Sequence, residues 1–406
     1  MLRRWSGHRP EKTSMNCTDL LVRLIAVPSV NPEEPDPREW TGEARMAELM
    51  EALLRERGFE VAREEDAPGR PNVIARSGPR GDGPSLLIEA HMDTVSVVNM
   101  KIPPFEARVA DGRIYGRGAC DVKGSLAALL AALDRDLVAR FRAAGRQLVV
   151  VCACGEEKGN LGARQLTERG LGADQALILE PTDLRIIHRH KGALWCRVRL
   201  EGRSGHGSAP ARGVSAIRAL AELIPLIEAR VLQWGEGGAD PDLSGPSVNF
   251  GRVEGGISVN IIPDRAELDL DIRLTPELSP ARVRDDLAGE LQELVERASI
   301  TGFSIETIQE IEPLATPRDT GLVRSLTRAL ESEGLPARSG GVDWCSDAPW
   351  FARTCGETVV FGPGSIRQAH TEDEFIEVAE LETGARVLRR FLEQGCEPAT
   401  PSGGTP

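Results

Sequence analysis

No apolar run in this 406-residue chain reaches the length of about 18 that a membrane-spanning helix needs. The N-terminus, M-L-R-R-W-S-G-H-R-P-E-K-T-S, lacks the apolar stretch of a signal peptide. Its eight cysteines, at 17, 120, 152, 154, 196, 345, 355 and 396, include no C-x-x-C pair and no spacing of a small secreted framework. They read as reduced core residues of a cytoplasmic protein. Basic clusters are missing beyond the first dozen residues, and 49 Lys and Arg against 62 Asp and Glu leave a net charge of −13. Nucleic acid and anionic membrane surfaces both recruit clustered Lys and Arg, so neither is expected as a partner. With 42 Gly and 27 Pro the chain is not of low complexity, and no internal repeat is visible.

What is present is enough for large cores: 41% of residues are hydrophobic, and the length exceeds what one core usually carries. Met15 is a second candidate start, so residues 1–17 read as a flexible extension and 398–406 as a disordered tail. Helical spacing begins at Thr18 and stops at Pro28; a second helix runs from about Glu43 to Arg57. Short apolar runs at Asn72 to Ala75, Ser85 to Glu89, Gln147 to Val151 and Ala176 to Leu179 read as buried strands. Several deliver carboxylates at their ends, the pattern of an α/β sheet whose site lies at its carboxyl edge. From Gly192 the composition changes to alternating apolar and polar residues, then helix, strand, strand, helix, strand. That order predicts an α+β insert of ferredoxin-like kind over 191–312. The flanking segments, 18–190 and 313–397, form one α/β catalytic domain with a mixed, mostly parallel sheet flanked by helices.

The stretch C-A-C-G-E-E-K-G-N-L, Cys152 to Leu161, places two adjacent carboxylates just past a buried strand. Neighbouring side chains there point apart, so one can bind a cation while the other carries protons; alternatively the pair caps the following helix. In H-M-D-T-V, His91 and Asp93 fall on one side of an extended chain, where the carboxylate can fix the imidazole tautomer; a polar pair at a strand end is the alternative. Glycines 116, 118 and 124 turn the backbone around Asp121, a helix cap unless it is a ligand. The dinucleotide-binding fingerprint fails there, because the third Gly is misplaced and an Asp sits where pyrophosphate would approach. His370 alone would read as a surface loop residue.

Together H-M-D-T-V, G-R-G-A-C-D-V-K-G, G-E-E-K-G-N-L-G-A, E-P-T, G-R-S-G-H-G-S-A-P and G-P-G-S-I-R-Q-A-H resemble, in order over roughly residues 18 to 395, the dinuclear zinc aminoacylase and carboxypeptidase family. Acetylornithine deacetylase and succinyl-diaminopimelate desuccinylase belong to that family. The resemblance implies two divalent ions, zinc with cobalt or manganese as substitutes, with His91 and Glu180 on one, Glu157 and His370 on the other, and Asp121 bridging. It implies Glu156 as general acid/base, Asp93 as the partner of His91, and a cis peptide bond after Asp121. Three carboxylates and two neutral imidazoles against two dications leave one positive charge, which a bridging hydroxide neutralises. His206 is implied to reach the neighbouring subunit's site in a homodimer, or else caps the helix after it. Asn260 and Arg273 are implied to bind substrate, Arg273 clamping an α-carboxylate unless it is tied up by a cross-strand Asp. Gly364 and Ser365 would offer backbone N–H groups to the same carboxylate. His188 and His190 read as a solvated structural pair, and Cys120, Cys152 and Cys154 as packing residues.

The expected activity is hydrolysis of an N-acyl amino acid, acetylornithine deacetylase-like from G-P-G-S-I-R-Q-A-H-T-E-D-E-F and C-S-D-A-P-W. Those enzymes commonly carry Glu where this chain has Asp347, which leaves the side chain accepted open. A dipeptidase or carboxypeptidase using the same metals is the alternative among hydrolases. A non-catalytic dimeric metal-binding protein is the alternative outside them.

Overall fold

In the computed structural model the described residues are 16–236 and 240–397. The expected tail at 398–406 and most of the extension at 1–17 lie outside them. Asn16 and Cys17 do not: Asn16 Oδ1 accepts the Asp19 N–H at 2.8 Å and caps the helix Cys17–Ile25. Among the described residues no helix is long and apolar enough to cross a membrane.

A nine-stranded mixed sheet organises the chain on either side of the insert. Its path runs Glu60–Ala67, Arg70–Arg76, Gln147–Ala153, Ser85–His91, Gln175–Ile178, Glu357–Val360, Ile186–His190 and Leu314–Ala315, with Ser339–Val342 pairing Ile186–His190 from off that path. The four strands from Gln147–Ala153 to Glu357–Val360 are parallel, and the antiparallel pairs lie outside them. Ser85–His91 and Gln147–Ala153 are buried along their whole lengths, as parallel strands covered on both faces must be. Their period-two alternation splits them between two cores. Leu86 and Ile88 join Leu24, Met50, Leu126, Leu326 and Phe391 on one face, while Leu87 and Val149 join Leu166 and Phe351 on the other. Each such side chain contributes about 1.5–3 kcal/mol by leaving water.

Between Gly192 and Ile311 the chain forms a separate antiparallel sheet in the order Ser247–Gly255, Arg265–Leu274, Gly192–Glu201, Gly302–Ile311. Counted along the chain this is second, third, first, fourth, the ferredoxin-like order the composition change predicts. Leu194, Cys196, Val198 and Leu200 pack under the helices Ala216–Gly235 and Pro280–Glu296. The intervening Trp195, Arg197 and Arg199 face away, where Arg197 pairs with Asp269 at 2.6 Å and Arg199 with Glu267 at 3.1 Å. This sheet enters and leaves the larger one side by side, because Leu314 pairs directly with His190. Its connector after Ala216–Gly235 also returns to the larger sheet: Arg189 Nε donates to Asp240 Oδ2 at 2.8 Å, Lys191 Nζ donates to Ser244 Oγ at 2.7 Å, and Arg318 pairs with Asp242.

Some features depart from the sequence reading. Arg108–Ala110, Arg113–Tyr115 and Phe375–Glu377 form a three-stranded ribbon, and strands of three residues carry too little pattern to be seen. His188 and His190 are structural but not solvated: they are 2% and 0% exposed, because Ile186–His190 is flanked by Glu357–Val360, Leu314–Ala315 and Ser339–Val342. His188 Nδ1 donates to Thr316 O at 2.8 Å. Burial holds His190 down at about 4, hence neutral.

Candidate metal centre

His91 is the last residue of the central strand Ser85–His91 and is 2% exposed. Its Nδ1 lies 3.0 Å from the main-chain oxygen of Asp93. A carbonyl only accepts, so Nδ1 carries the hydrogen and the Nε2 lone pair points into the site. The Asp93 carboxylate, expected to make that bond, is 3.6 Å from Nδ1, beyond hydrogen-bond range. It instead accepts the backbone N–H groups of Glu156 at 3.0 Å and Glu157 at 3.2 Å, and the Asn31 amide at 2.8 Å. Asp93 therefore orders the Glu156–Glu157 turn as well as the His91 strand end.

Asp121 sits in the glycine-bounded turn before the helix Lys123–Ala132, and the Asp121–Val122 peptide is cis as the resemblance implied. The turn is pinned by Glu374, fully buried, whose two oxygens accept the N–H groups of Gly118, Cys120 and Asp121 at 2.9–3.0 Å and the Arg117 guanidinium at 2.6 Å. Held this way, Asp121 presents Oδ1 to His91 Nε2 at 3.1 Å and Oδ2 to His370 Nε2 at 3.4 Å. Glu180 Oε1 is 3.9 Å from His91 Nε2, and Glu157 Oε2 is 3.1 Å from His370 Nε2. His91, Asp121 and Glu157 place ligand atoms within 4.8 Å of one another.

Lone pairs on nitrogen and oxygen converge here from two sides of one carboxylate, an arrangement that needs positive charge between them. A proton or a cation can supply it. Against the desolvation of burial, the hydrogen bond to Asp121 and the nearby negative charges of Asp93 and Glu180 raise His91 well above its ordinary value, and bonds to Asp121 and Glu157 push His370 up to about 11. Glu156 is also raised, by burial first and by Asp347, Glu157 and Asp121 next, with His91 opposing. The donor set is imidazole and carboxylate without thiolate, and it divides into two halves sharing Asp121. It fits two divalent ions, each with one His, one terminal carboxylate and a share of Asp121.

The cavity in front, about 200 Å³, is lined by Asp121, Glu156, Glu157, Glu180 and His370 together with Arg273 from the smaller sheet. Arg273 Nη2 donates to Asp271 Oδ2 at 2.9 Å, two residues earlier on its own strand rather than across to another. His206 and Asn260 lie elsewhere, exposed and side by side: Gly207 N–H donates to Asn260 O at 2.8 Å, and His206 bridges to Ile261. Gly364 and Ser365 are not directed at the cavity. The Gly364 N–H is taken by Glu380 Oε1 at 3.0 Å, and both residues line a different hollow with Asp183 and Arg367. The expected clamp is thus corrected at Gly364, whose amide is already satisfied. Sequence reasoning gave no role to Asn31, Glu374, Trp195, Gln309, Trp344 or Cys345, and the last four line the cavity. Glu374 and Cys345 did stand in stretches that carried the resemblance.

The description "Peptidase family M20/M25/M40" matches residues 87–394. An acetylornithine deacetylase from Erwinia tasmaniensis is 32% identical over 94% of this chain and 98% of its own length. One from Photorhabdus laumondii is 33% identical over 93% and 97%. Among solved structures, a tripeptidase from Staphylococcus aureus superposes with a TM-score of 0.73 at 20% identity, covering 93% of this chain and 97% of its own. A Bacillus subtilis protein described as a dinuclear metal-binding peptidase gives 0.69 at 17% identity, covering 93% and 96%.

Proposed function

Because the chain belongs to peptidase family M20/M25/M40, we propose that it is a metallo-amidohydrolase that removes the acyl group from an N-acyl amino acid, using two divalent ions, zinc before cobalt or manganese. The acetylornithine deacetylases among its relatives support the deacylation. The dinuclear centre named for the Bacillus subtilis protein supports the pair of ions. The single observation that carries the reading is Asp121, whose two oxygens each meet a different imidazole.

In this reading His91 and Glu180 hold one ion, Glu157 and His370 the other, and Asp121 bridges them. When bound, two such ions acidify a shared water and polarise the acyl carbonyl. Glu156, half-buried on the cavity wall, takes a proton from the attacking water at its carboxylate and gives it to the departing amine nitrogen. The raised affinity of Glu156 for a proton suits the first of these steps, in which it acts as the base. Asp93 holds both the His91 strand end and the Glu156 backbone in place. Arg273 takes the substrate α-carboxylate with the part of its fork not used by Asp271. Residues 18–190 with 313–397 form the catalytic domain, and 191–312 is a lid that also dimerises. Dimerisation is supported by the outer edge of Ser247–Gly255, which pairs with no other strand among the described residues, and by the exposed apolar Val253, Ile257 and Val259. The test is Glu156→Gln: metal content should match that of the parent protein while kcat falls about 100- to 10,000-fold. Retained turnover would remove Glu156 from the mechanism.

A further inference from the structure

Four consecutive residues, 344–347, touch three parts of the molecule at once. Trp344 stacks on the buried ring of His190, 6.5 Å between centroids with 24° between planes. His190 Nδ1 lies 2.8 Å from Lys191 O and so carries the hydrogen, which leaves Nε2 to accept from Ser346 Oγ at 3.1 Å. His190 ends the strand Ile186–His190, and the chain passes from it through Lys191 into the insert. Cys345 Sγ lies 3.6 Å from Arg273 Nη1 on the insert's own sheet. Asp347 Oδ1 accepts the Asn160 amide at 2.8 Å, and Asn160 stands three residues after Glu157. The entry strand, the insert's cavity wall and the metal-bearing turn therefore meet on one short segment.

Asn160 does not serve the helix it precedes. It stands before Leu161–Glu168 at φ +49°, a left-handed conformation that asparagine tolerates better than most residues, and its side chain makes no capping bond. Both ends of its buried amide are used for longer-range contacts instead. Nδ2 goes to Asp347, and Oδ1 meets Gln309 Nε2 of the insert at 3.4 Å, long for an N–H···O bond and shortened by any slight approach of the insert. Gln309 reaches it because of a bulge. The pairing of Gly302–Ile311 with Gly192–Glu201 steps from Thr307 opposite Cys196 to Gln309 opposite Trp195, leaving Ile308 unmatched. Without that extra residue Gln309 would fall on the face covered by the helices. With it, the side chain shares the cavity wall with Trp195 and Arg273.

We propose, resting on the hydrolytic reading above, that Asn160 is a positioning residue: held by Asp347 and met by Gln309, it sets the Glu156–Glu157 turn against the insert, so that seating a substrate on Arg273 and placing Glu156 are coupled. The first experiment needs no substrate. In the zinc-loaded full-length protein the amides of Glu156, Glu157 and Leu161 are bonded at the turn, so their hydrogen exchange, read by mass spectrometry, reports its order. Gln309→Ala, made on the insert, should speed that exchange about tenfold. Glu306→Ala, which breaks an exposed pair with Arg199 on the same strand, should leave it unchanged. The second experiment measures kcat on N-acetylornithine and N-acetylmethionine. Asn160→Ala should lower kcat about 10- to 100-fold with zinc content and KM little altered, and adding Gln309→Ala should cost less than about twofold more, because both act through one contact. Asn160→Asp sets two carboxylates together and should be as slow. Combined with Asp347→Asn it exchanges donor for acceptor, and most of kcat should return. Unchanged exchange in Gln309→Ala, or kcat losses that multiply independently, overturns the proposal. A parent protein that turns over neither compound overturns the hydrolytic reading instead, and the exchange result still decides whether insert and turn are joined.

Discussion

His370 reaches Asp121 and Glu157 from a backbone at φ +62°, in the left-handed region that non-glycine residues enter sparingly. Its imidazole and that of His91 hold protons tightly, against the desolvation of burial, because carboxylates surround them. Divalent ions must displace those protons. A raised value means the protonated form is favoured, so apparent metal affinity should fall as pH drops and rise toward the upper limit set by His370 at about 11. Zinc added to the metal-free protein at pH 7 should release protons, counted by titration calorimetry in buffers of different ionisation enthalpy. Zero release would take both imidazoles out of coordination. All five expected ligands were legible as residues because each follows a buried run or a glycine turn. The partner of His91 Nδ1 was not, since a main-chain oxygen leaves no mark in a sequence.

At the scale of elements, the turn carrying Asp121 is only as firm as Glu374, which reaches it across 253 residues of chain. Glu374→Ala leaves the Arg117 guanidinium buried without its carboxylate and three N–H groups without acceptors, at a cost of about 3–5 kcal/mol. The urea midpoint should fall accordingly and zinc affinity with it, measured on the same preparation. An unchanged midpoint would show that the turn stands without this anchor. Sequence pattern could not reveal the contact, because Glu374 adjoins a strand of three residues, Phe375–Glu377. The long buried strands were legible for the opposite reason: Gln147–Ala153 has no exposed residue along its length.

For the whole molecule, the proposed dimer would carry His206 to the neighbouring chain's cavity. Mixed dimers of His206→Ala with Glu156→Gln should then regain activity that neither variant has alone, because one of the two sites is built from intact parts. An assay of mixed, refolded chains that stays silent would confine the site to a single chain. The order of elements in the insert was legible because its alternation contrasts with the continuous apolar runs before it. The hold of its connector on the larger sheet was not, because Arg189 and Asp240, or Lys191 and Ser244, are ordinary polar residues until folding brings them together.

Entry and exit of the insert through neighbouring strands, with Leu314 against His190, would make the proposed lid a door on two adjacent pins, free to swing about one line. The polar contacts from Arg189, Lys191 and Arg318 to the connector would be its catch, set away from the chemistry and formed by groups whose ion pairs salt in the medium weakens.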